Sequence, residues 1–167
     1  MSSDPLSSDQ AAGDDAAPLP DDWSFLIVDD NPAALATLRT LMMVLGLEPP
    51  LEAMGGQEAM EMVRDNALDC IITDLRMEPM SGVDFIRWVR KSNLAPNPSV
   101  RILAISAYRD PAEVSAIAME GASGFLGKPL SIPTLRTALQ QLRNRPGYFV
   151  DIAATPDPMP KANGCDS

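Results

Sequence analysis

The segment Phe25-Leu26-Ile27-Val28-Asp29-Asp30 is the most informative part of this chain, because a run of four apolar residues is followed directly by two adjacent acids. A short continuous apolar run is typical of a strand that is buried on both faces of a parallel sheet. In an open parallel α/β sheet the carboxyl ends of the strands gather at one edge, and functional sites form there. The stretch therefore predicts a buried parallel strand whose acids lie at such a site.

Three later apolar runs are likewise followed directly by a polar side chain: Asp74, Ser106 and Lys128. Because the strand ends of a parallel sheet share one edge, we expect these distant residues to join Asp29 and Asp30 in a single pocket. That pocket would hold three carboxylates, one hydroxyl and one ammonium group.

Helical signals separate the strands across the middle of the chain. After Pro32, which suits the first turn of a helix, Leu35, Leu38 and Leu41 follow helical spacing. Similar signals follow the other strands, including a weak second strand near residues 51–53. The resulting (βα)₅ pattern predicts an α/β fold in which a doubly wound, parallel, five-stranded sheet carries helices on both faces.

Composition divides the 167 residues into one domain and two tails. Residues 1–22 contain six acids and no base, so we expect a disordered acidic tail. Residues 149–167 contain several prolines and few bulky apolar side chains, which predicts a flexible C-terminal tail. Residues 23–148 have the length of a single domain with its own core.

Charge, hydropathy and residue types exclude several classes of function. The net charge is −10, and no basic surface for nucleic acid is evident. No apolar run approaches the roughly 18–20 residues that span a bilayer, and the N-terminus lacks the pattern of a signal peptide. We therefore expect a cytoplasmic protein without membrane insertion. The absence of histidine removes the commonest general base.

The charges expected in the pocket call for a cation. Each close pair among Asp29, Asp30 and Asp74 would repel by about 3–4 kcal/mol at an effective dielectric near 20. Lys128 offsets one negative charge, so either a carboxylate takes up a proton or a divalent cation binds. A site built of oxygens, without histidine or cysteine, favours Mg²⁺, with Mn²⁺ as an alternative.

Magnesium bound by few carboxylates completes its shell with water and phosphate oxygens, so the pocket also predicts a phosphoryl group. Asp74 is a candidate nucleophile, because carboxylates can form aspartyl-phosphate intermediates. Lys128 would hold one phosphoryl oxygen as a point charge, and Ser106 would donate its hydroxyl to another. The adjacent Ala107 is small and leaves room for the group.

With these residues in place, the chain resembles the receiver domains of bacterial two-component response regulators, which share the fold of the chemotaxis regulators. The resemblance covers about residues 24–143 and implies a flavodoxin-like sheet with the strand order 2-1-3-4-5. The motifs that carry it occur in order and at suitable spacing: Val28-Asp29-Asp30, Asp74-Leu75-Arg76-Met77, Met80-Ser81-Gly82, Ser106-Ala107, and Gly121-Ala122-Ser123-Gly124-Phe125 followed by Lys128-Pro129.

The resemblance implies that Asp74 accepts a phosphoryl group from a histidine kinase or a histidine phosphotransfer protein. It also implies that Asp30, Asp74 and the backbone carbonyl of Arg76 bind the metal directly, while Asp29 acts through water. The switch pair implied by the family is Ser106 and Phe125. In that switch the hydroxyl moves toward the phosphoryl group and the ring rotates inward. The family's usual geometry further implies a cis bond between Lys128 and Pro129.

Two departures from the family pattern concern the edges of the pocket. Glu78 stands where the family usually has proline, and Pro79 follows it, so the loop after Asp74 is expected to differ and to bring a further acid nearby. Arg76 and Tyr108 are bulky at the two positions that influence how water reaches the acyl phosphate. We therefore predict slow loss of the phosphoryl group.

The function expected from this resemblance is that of a stand-alone response regulator and not of an enzyme with a separate substrate. Its output would be a contact with a downstream protein, or onward transfer of the phosphoryl group. The expected surface for that contact consists of the fourth helix, the fifth strand and the fifth helix. We expect a monomer, with dimerisation through that surface as the alternative.

Two other functions use parts of the same pattern. A phosphatase with an aspartyl nucleophile would need a second acid two residues after Asp74, where the chain has Arg76. A scaffold that binds partners independently of phosphorylation would not need the complete set of pocket residues, although the change at Glu78 is compatible with it.

Overall fold

The computed structural model describes residues 18–152, in which strands and helices alternate. The strands are β1 (Phe25–Val28), β2 (Leu51–Ala53), β3 (Cys70–Asp74), β4 (Arg101–Ser106), β5 (Gly124–Gly127) and β6 (Val150–Ile152). The helices are α1 (Pro32–Val44), α2 (Gly56–Asp65), α3 (Gly82–Lys91), α4 (Pro111–Met119) and α5 (Ile132–Asn144).

All strand pairs in the sheet are parallel, and the strand order is β2-β1-β3-β4-β5-β6. The predicted fold class and the order 2-1-3-4-5 are confirmed, and β6 extends the sheet by one strand beyond the five that were predicted. Asp74 is paired with Ile105, and Ser106 is paired with Gly127. This register brings the carboxyl ends of β3, β4 and β5 to the same level.

The sheet lies between two helical layers, as the doubly wound pattern requires. Alternate residues of β1 face opposite layers: Leu26 and Val28 pack in one apolar core, and Phe25 and Ile27 pack in the other. The first core is closed by α2, α3 and α4, and the second by α1 and α5. Full burial of β1 explains why its sequence is continuously apolar.

Local signals start the helices close to the strand ends. The Asn31 side chain accepts hydrogen bonds from the first backbone N–H groups of α1, so this helix begins directly after the acids that follow β1. The Asp110 side chain caps α4 in the same way, and Ser131 and Thr134 form a reciprocal capping box at α5. Among the described helices, none combines the length and apolarity needed to cross a membrane.

Both predicted domain boundaries fall within folded structure. Pro20 is buried, and Asp22 forms an ion pair with Arg143 at 3.0 Å, although residues 1–22 were assigned to a disordered tail. Residues 150–152 form β6, although they were assigned to the flexible tail, because Val150 is buried against the edge of β5. The rest of both predicted tails, residues 1–17 and 153–167, lies outside the described residues.

Candidate functional site

Three carboxylates from two neighbouring strands meet at the carboxyl edge of the sheet. Asp29 and Asp30 follow β1, and Asp74 is the last residue of β3. One oxygen of each lies within 4.8 Å of one oxygen of the other two. Asp29 and Asp74 are buried, whereas Asp30 is exposed. The cluster therefore has a closed floor and one side open to solvent.

Lys128, directly after β5, supplies the positive charge of the site. Its Nζ lies 3.0 Å from Asp74 Oδ1 and 3.5 Å from Asp29 Oδ2. Burial, the largest single influence, lowers the pKa of Lys128, but the hydrogen bond and charge of Asp74, together with the negative charge of Asp29, outweigh it and raise the pKa. Lys128 is therefore a fixed ammonium group at neutral pH.

Asp29 has the least favourable environment for a charged carboxylate in the cluster. Burial, followed by the charge of Asp74, raises its pKa, and this is only partly opposed by Lys128 and by the backbone N–H of Asn31, which donates to Oδ1 at 3.0 Å. Within residues 18–152, its buried Oδ2 accepts no hydrogen bond, because the 3.5 Å approach of Lys128 is too long.

A buried Asp29 oxygen without a hydrogen bond in the part of the chain that the structure describes, next to the carboxylates of Asp30 and Asp74, is an arrangement that a bound cation would stabilise. The donors are oxygens alone, from Asp29, Asp30 and Asp74, and one of these acids is open to solvent. Such a donor set fits Mg²⁺ or Mn²⁺, which keep several waters, better than it fits Zn²⁺. The side chains present therefore fit the predicted metal.

The loop from β3 to α3 holds Asp74 against the start of α3. The backbone N–H of Arg76 donates to Asp74 Oδ2 at 3.1 Å, and that of Gly82 donates to the Leu75 carbonyl at 3.0 Å. A Cβ on Gly82 would collide with the Asp74 carbonyl oxygen and lie 2.7 Å from Leu75 Cα. Glycine is therefore required for the close approach of α3 to the end of β3.

The loop departure at Glu78 contacts the cluster through its backbone. The N–H of Glu78 donates to Asp30 Oδ2 at 3.2 Å, while the residue itself is exposed. Among the described residues, the carboxylates close enough together to bind one metal ion are those of Asp29, Asp30 and Asp74. Glu78 does not belong to this cluster. The unusual loop therefore orients Asp30 and adds no fourth carboxylate.

Ser106 and Phe125, the expected switch pair, lie on adjacent strands. Ser106 is 1% exposed, and its Oγ accepts the backbone N–H of Tyr108 at 3.1 Å. The ring of Phe125 is fully buried in the core closed by α2, α3 and α4. The ring is thus already inside the protein, and the hydroxyl is engaged by its own loop. The bond between Lys128 and Pro129 is cis, which confirms that expectation.

Arg76 and Tyr108, the two bulky positions, contact each other beside the cluster. The guanidinium carbon of Arg76 lies 4.8 Å from the centre of the Tyr108 ring, a cation–π distance. Glu113 on α4 holds the same guanidinium at 2.9 Å. The contact joins the loop after β3 to the loop after β4, and Arg76 and Tyr108 thereby form a bridge between the two strand ends.

Two residues at the site were not singled out from the sequence. Asn31, which holds Asp29, carries a recognisable signal, because a cap residue before Pro32 marks a helix start. Glu113 carries no local signal for its role, since its partner Arg76 lies 37 positions away. The position of Asn31 therefore follows from a local sequence pattern, whereas the contact of Glu113 depends on how α4 packs.

Comparison with known proteins assigns most of the folded region to one family. A family model described as the response regulator receiver domain matches residues 25–140. The chemotaxis protein CheY of Pseudomonas aeruginosa is 28% identical over 120 residues, which are 72% of this chain and 95% of that protein. The transcriptional regulatory protein ZraR of Escherichia coli is 29% identical over 121 residues, so the chain spans about a quarter (26%) of ZraR.

A solved structure gives the same assignment. A response regulator protein from Burkholderia pseudomallei aligns with a TM-score of 0.62 and 27% identity, covering 72% of this chain and 68% of that one. That structure is described as holding a phosphorylated aspartic acid, a calcium ion and citrate. This chain therefore shares its fold with a response regulator whose structure contains a phosphorylated aspartic acid.

Proposed function

This chain belongs to the response regulator receiver domain family, and from that membership we propose that Asp74 is phosphorylated in a two-component or phosphorelay system. The donor would be a histidine kinase or a histidine phosphotransfer protein. The observation that carries the proposal is the convergence of Asp29, Asp30, Asp74 and Lys128 at one edge of the sheet. A similar fold with a phosphorylated aspartic acid supports it.

The transfer requires a nucleophile and little further covalent chemistry. A carboxylate oxygen of Asp74 attacks phosphorus, the new O–P bond forms, and the P–N bond of the donor phosphohistidine breaks. The imidazole leaves with the bonding electrons. Lys128, which already lies 3.0 Å from Asp74, would hold a phosphoryl oxygen as its charge develops. The protein is then both acceptor and catalyst of its own modification, without a separate substrate.

Mg²⁺, or Mn²⁺ in its place, would be held by Asp30, Asp74 and the backbone carbonyl of Arg76, with Asp29 acting through water, and when bound would neutralise charge on the phosphoryl oxygens. On the protein's side, Ser106 would release the Tyr108 N–H and donate its hydroxyl to the phosphoryl group. Phe125 would report this change to the surface formed by α4, β5 and α5.

A protein contact at that surface, or onward phosphotransfer, would carry the output in the cytoplasm. Modification would shift an equilibrium between conformations that exist before phosphorylation. Because the family consists of signalling proteins, turnover of an added phosphate ester is not expected. A scaffold that ignores phosphorylation gains no support from the complete acidic cluster.

Acetyl phosphate and Mg²⁺ provide the test, because they bypass the unknown kinase. Intact-mass measurement should show the mass of one added phosphoryl group, lost on hydroxylamine treatment. The adduct should be absent from Asp74→Asn and retained in Asp65→Asn, which removes an exposed carboxyl at the end of α2. An unmodified wild type, or an adduct that persists in Asp74→Asn, would contradict the proposal.

A further inference from the structure

Strand β6 pairs with the free edge of β5 and places Asp151 next to Phe125, the expected switch residue. β6 pairs with β5 in parallel, with Asp151 in register with Phe125. The Val150 N–H donates to the Ser123 carbonyl at 3.0 Å, so the edge of β5 is covered by backbone pairing. β6 therefore lies on the strand that the proposed function assigns to the output surface.

One side chain ties this strand to the loop after β4. Arg109 binds Asp151 through two parallel contacts, Nη1 to Oδ1 at 2.5 Å and Nη2 to Oδ2 at 2.7 Å. The same guanidinium lies 5.6 Å from the centre of the Phe125 ring. Arg109 thus contacts both β6 and the ring of the expected switch residue.

The loop that carries Arg109 is hydrogen-bonded to the Ser106 side chain. Ser106 Oγ accepts the N–H of Tyr108, the residue just before Arg109, and α4 begins at Pro111. If that hydroxyl turns to a phosphoryl group on Asp74, the Tyr108 N–H loses its acceptor. The short segment between Ser106 and Pro111 then loses one of the contacts that hold it, which frees Arg109 to move with it.

We propose that β6 is a cover strand, held on β5 by the Arg109–Asp151 ion pair and released when Asp74 is phosphorylated. The inference rests on the proposed function and adds a regulatory element to it. Release would expose the edge of β5 and one side of Phe125 at the output surface. Before phosphorylation, the chain's own β6 occupies that edge and blocks access to it.

The strength of the contact suits a reversible cover. The side chains of Arg109 and Asp151 are 48% and 35% exposed, and an ion pair so exposed shifts an equilibrium by about two- to fivefold. β6 is only three residues long. Coupling between two sites is reciprocal, so a factor of this size that holds β6 must also hold the loop after β4 in its resting conformation.

Hydrogen–deuterium exchange of the β6 amides tests the proposal on the full chain. In Asp151→Asn without phosphodonor, we expect these amides to exchange about two- to fivefold faster than in wild type. Acetyl phosphate with Mg²⁺ should speed their exchange in wild type by a similar factor. Glu52→Gln is the matched control, since it breaks an exposed Arg39–Glu52 pair on the opposite sheet edge and should leave β6 unchanged.

Intact mass, read on the same samples, separates this inference from the proposed function. Wild type that gains a phosphoryl group without faster β6 exchange would overturn the inference and leave the proposed function standing. Unchanged exchange in Asp151→Asn would show that the ion pair does not hold β6. If no phosphoryl group is gained, the proposed function fails and the coupling to β6 fails with it.

Discussion

Asp29 is a single residue that serves a binding site and lowers the stability of the metal-free fold. Its carboxyl is buried, lies next to Asp74, and leaves Oδ2 without a hydrogen bond among the described residues. Each of these features disfavours the ionised form in the folded protein. The residue is therefore better suited to holding a cation than to stabilising the empty fold.

Replacing Asp29 by asparagine should therefore stabilise the metal-free protein. The amide oxygen can still accept the Asn31 N–H, while the charge is lost, and we expect the thermal midpoint to rise by about 2–4 °C in the presence of a chelator. Asp65→Asn, at an exposed position, should leave the midpoint almost unchanged. A lower midpoint for Asp29→Asn would contradict this account of the site.

The pH dependence of that difference follows from the pKa of Asp29. Its pKa is higher in the folded state than in the unfolded chain, so ionisation destabilises the fold above that pKa. The penalty declines as the pH falls below the folded-state pKa, and it vanishes below the unfolded-state pKa, where the carboxyl is neutral in both states. The advantage of Asp29→Asn, measured by thermal melts in chelator, should be largest at pH values above the folded-state pKa and should shrink as the medium is acidified. A constant difference would count against the shift.

Arg76 and Tyr108 should control the lifetime of the phosphorylated state. Their cation–π contact joins the loop after β3 to the loop after β4 beside Asp74, which should restrict water at the acyl phosphate. We expect Arg76→Ala combined with Tyr108→Ala to hydrolyse about tenfold faster, equivalent to about 1.4 kcal/mol in the barrier. Arg64→Ala, an exposed change on α2, should keep the wild-type half-life. An equal half-life in the double variant would remove this role.

The sequence predicted the residues of the pocket better than the residues that support them. Asp74, Ser106 and Lys128 were identified because each follows an apolar run, and strand ends of a parallel sheet share one edge. Glu113 and Asp151 were missed because their partners lie 37 and 42 positions away. Such pairs depend on helix packing and on strand addition, which leave no local pattern.

Gly82 allows helix α3 to pack directly against the end of strand β3, where Asp74 lies. It is the first residue of α3, and a side chain there would collide with the backbone of Asp74 and Leu75. Gly56, the first residue of α2, is a matched position where a Cβ would meet the flexible side chain of Met80. The two glycines therefore separate a rigid backbone contact from a contact that can adjust.

Gly82→Ala should cost about 1–3 kcal/mol of unfolding free energy, as overpacking against a rigid backbone does, and Gly56→Ala should cost less. Because α3 would have to move away from β3, phosphorylation from acetyl phosphate should slow in Gly82→Ala alone. Denaturant melts and intact mass measure the two effects. Equal costs for the two variants would show that the approach at Gly82 is not rigid.

The elements themselves could be predicted to the extent that their pattern is local. β1, β3 and β4 contain continuous apolar runs, and α1, α3, α4 and α5 begin at side-chain N-caps. β6 was missed because residues 150–152 are too short for any periodicity, and their strand conformation depends on the edge of β5. Its addition extends the folded unit beyond the predicted end.

Across the whole molecule, two apolar cores hold together a site whose charges repel. The helical layers on both faces of the sheet fix the strand ends, so Asp29, Asp30 and Asp74 cannot move apart without loss of register. Lys128 neutralises only part of this charge. The remaining repulsion destabilises the metal-free folded state. A cation that binds only the folded state would relieve this repulsion and thereby stabilise the fold.

Magnesium should therefore stabilise the whole domain in a saturable way. At a concentration about 100-fold above its dissociation constant, a ligand specific to the folded state adds about 2.7 kcal/mol, which for this size corresponds to a rise of about 5–11 °C in the thermal midpoint. Thermal melts across a Mg²⁺ titration at constant ionic strength measure the effect. Asp30→Asn should reduce it strongly without disturbing the core, because Asp30 is exposed. Equal responses to Mg²⁺ and to matched NaCl would mean that the carboxylates do not form a metal site.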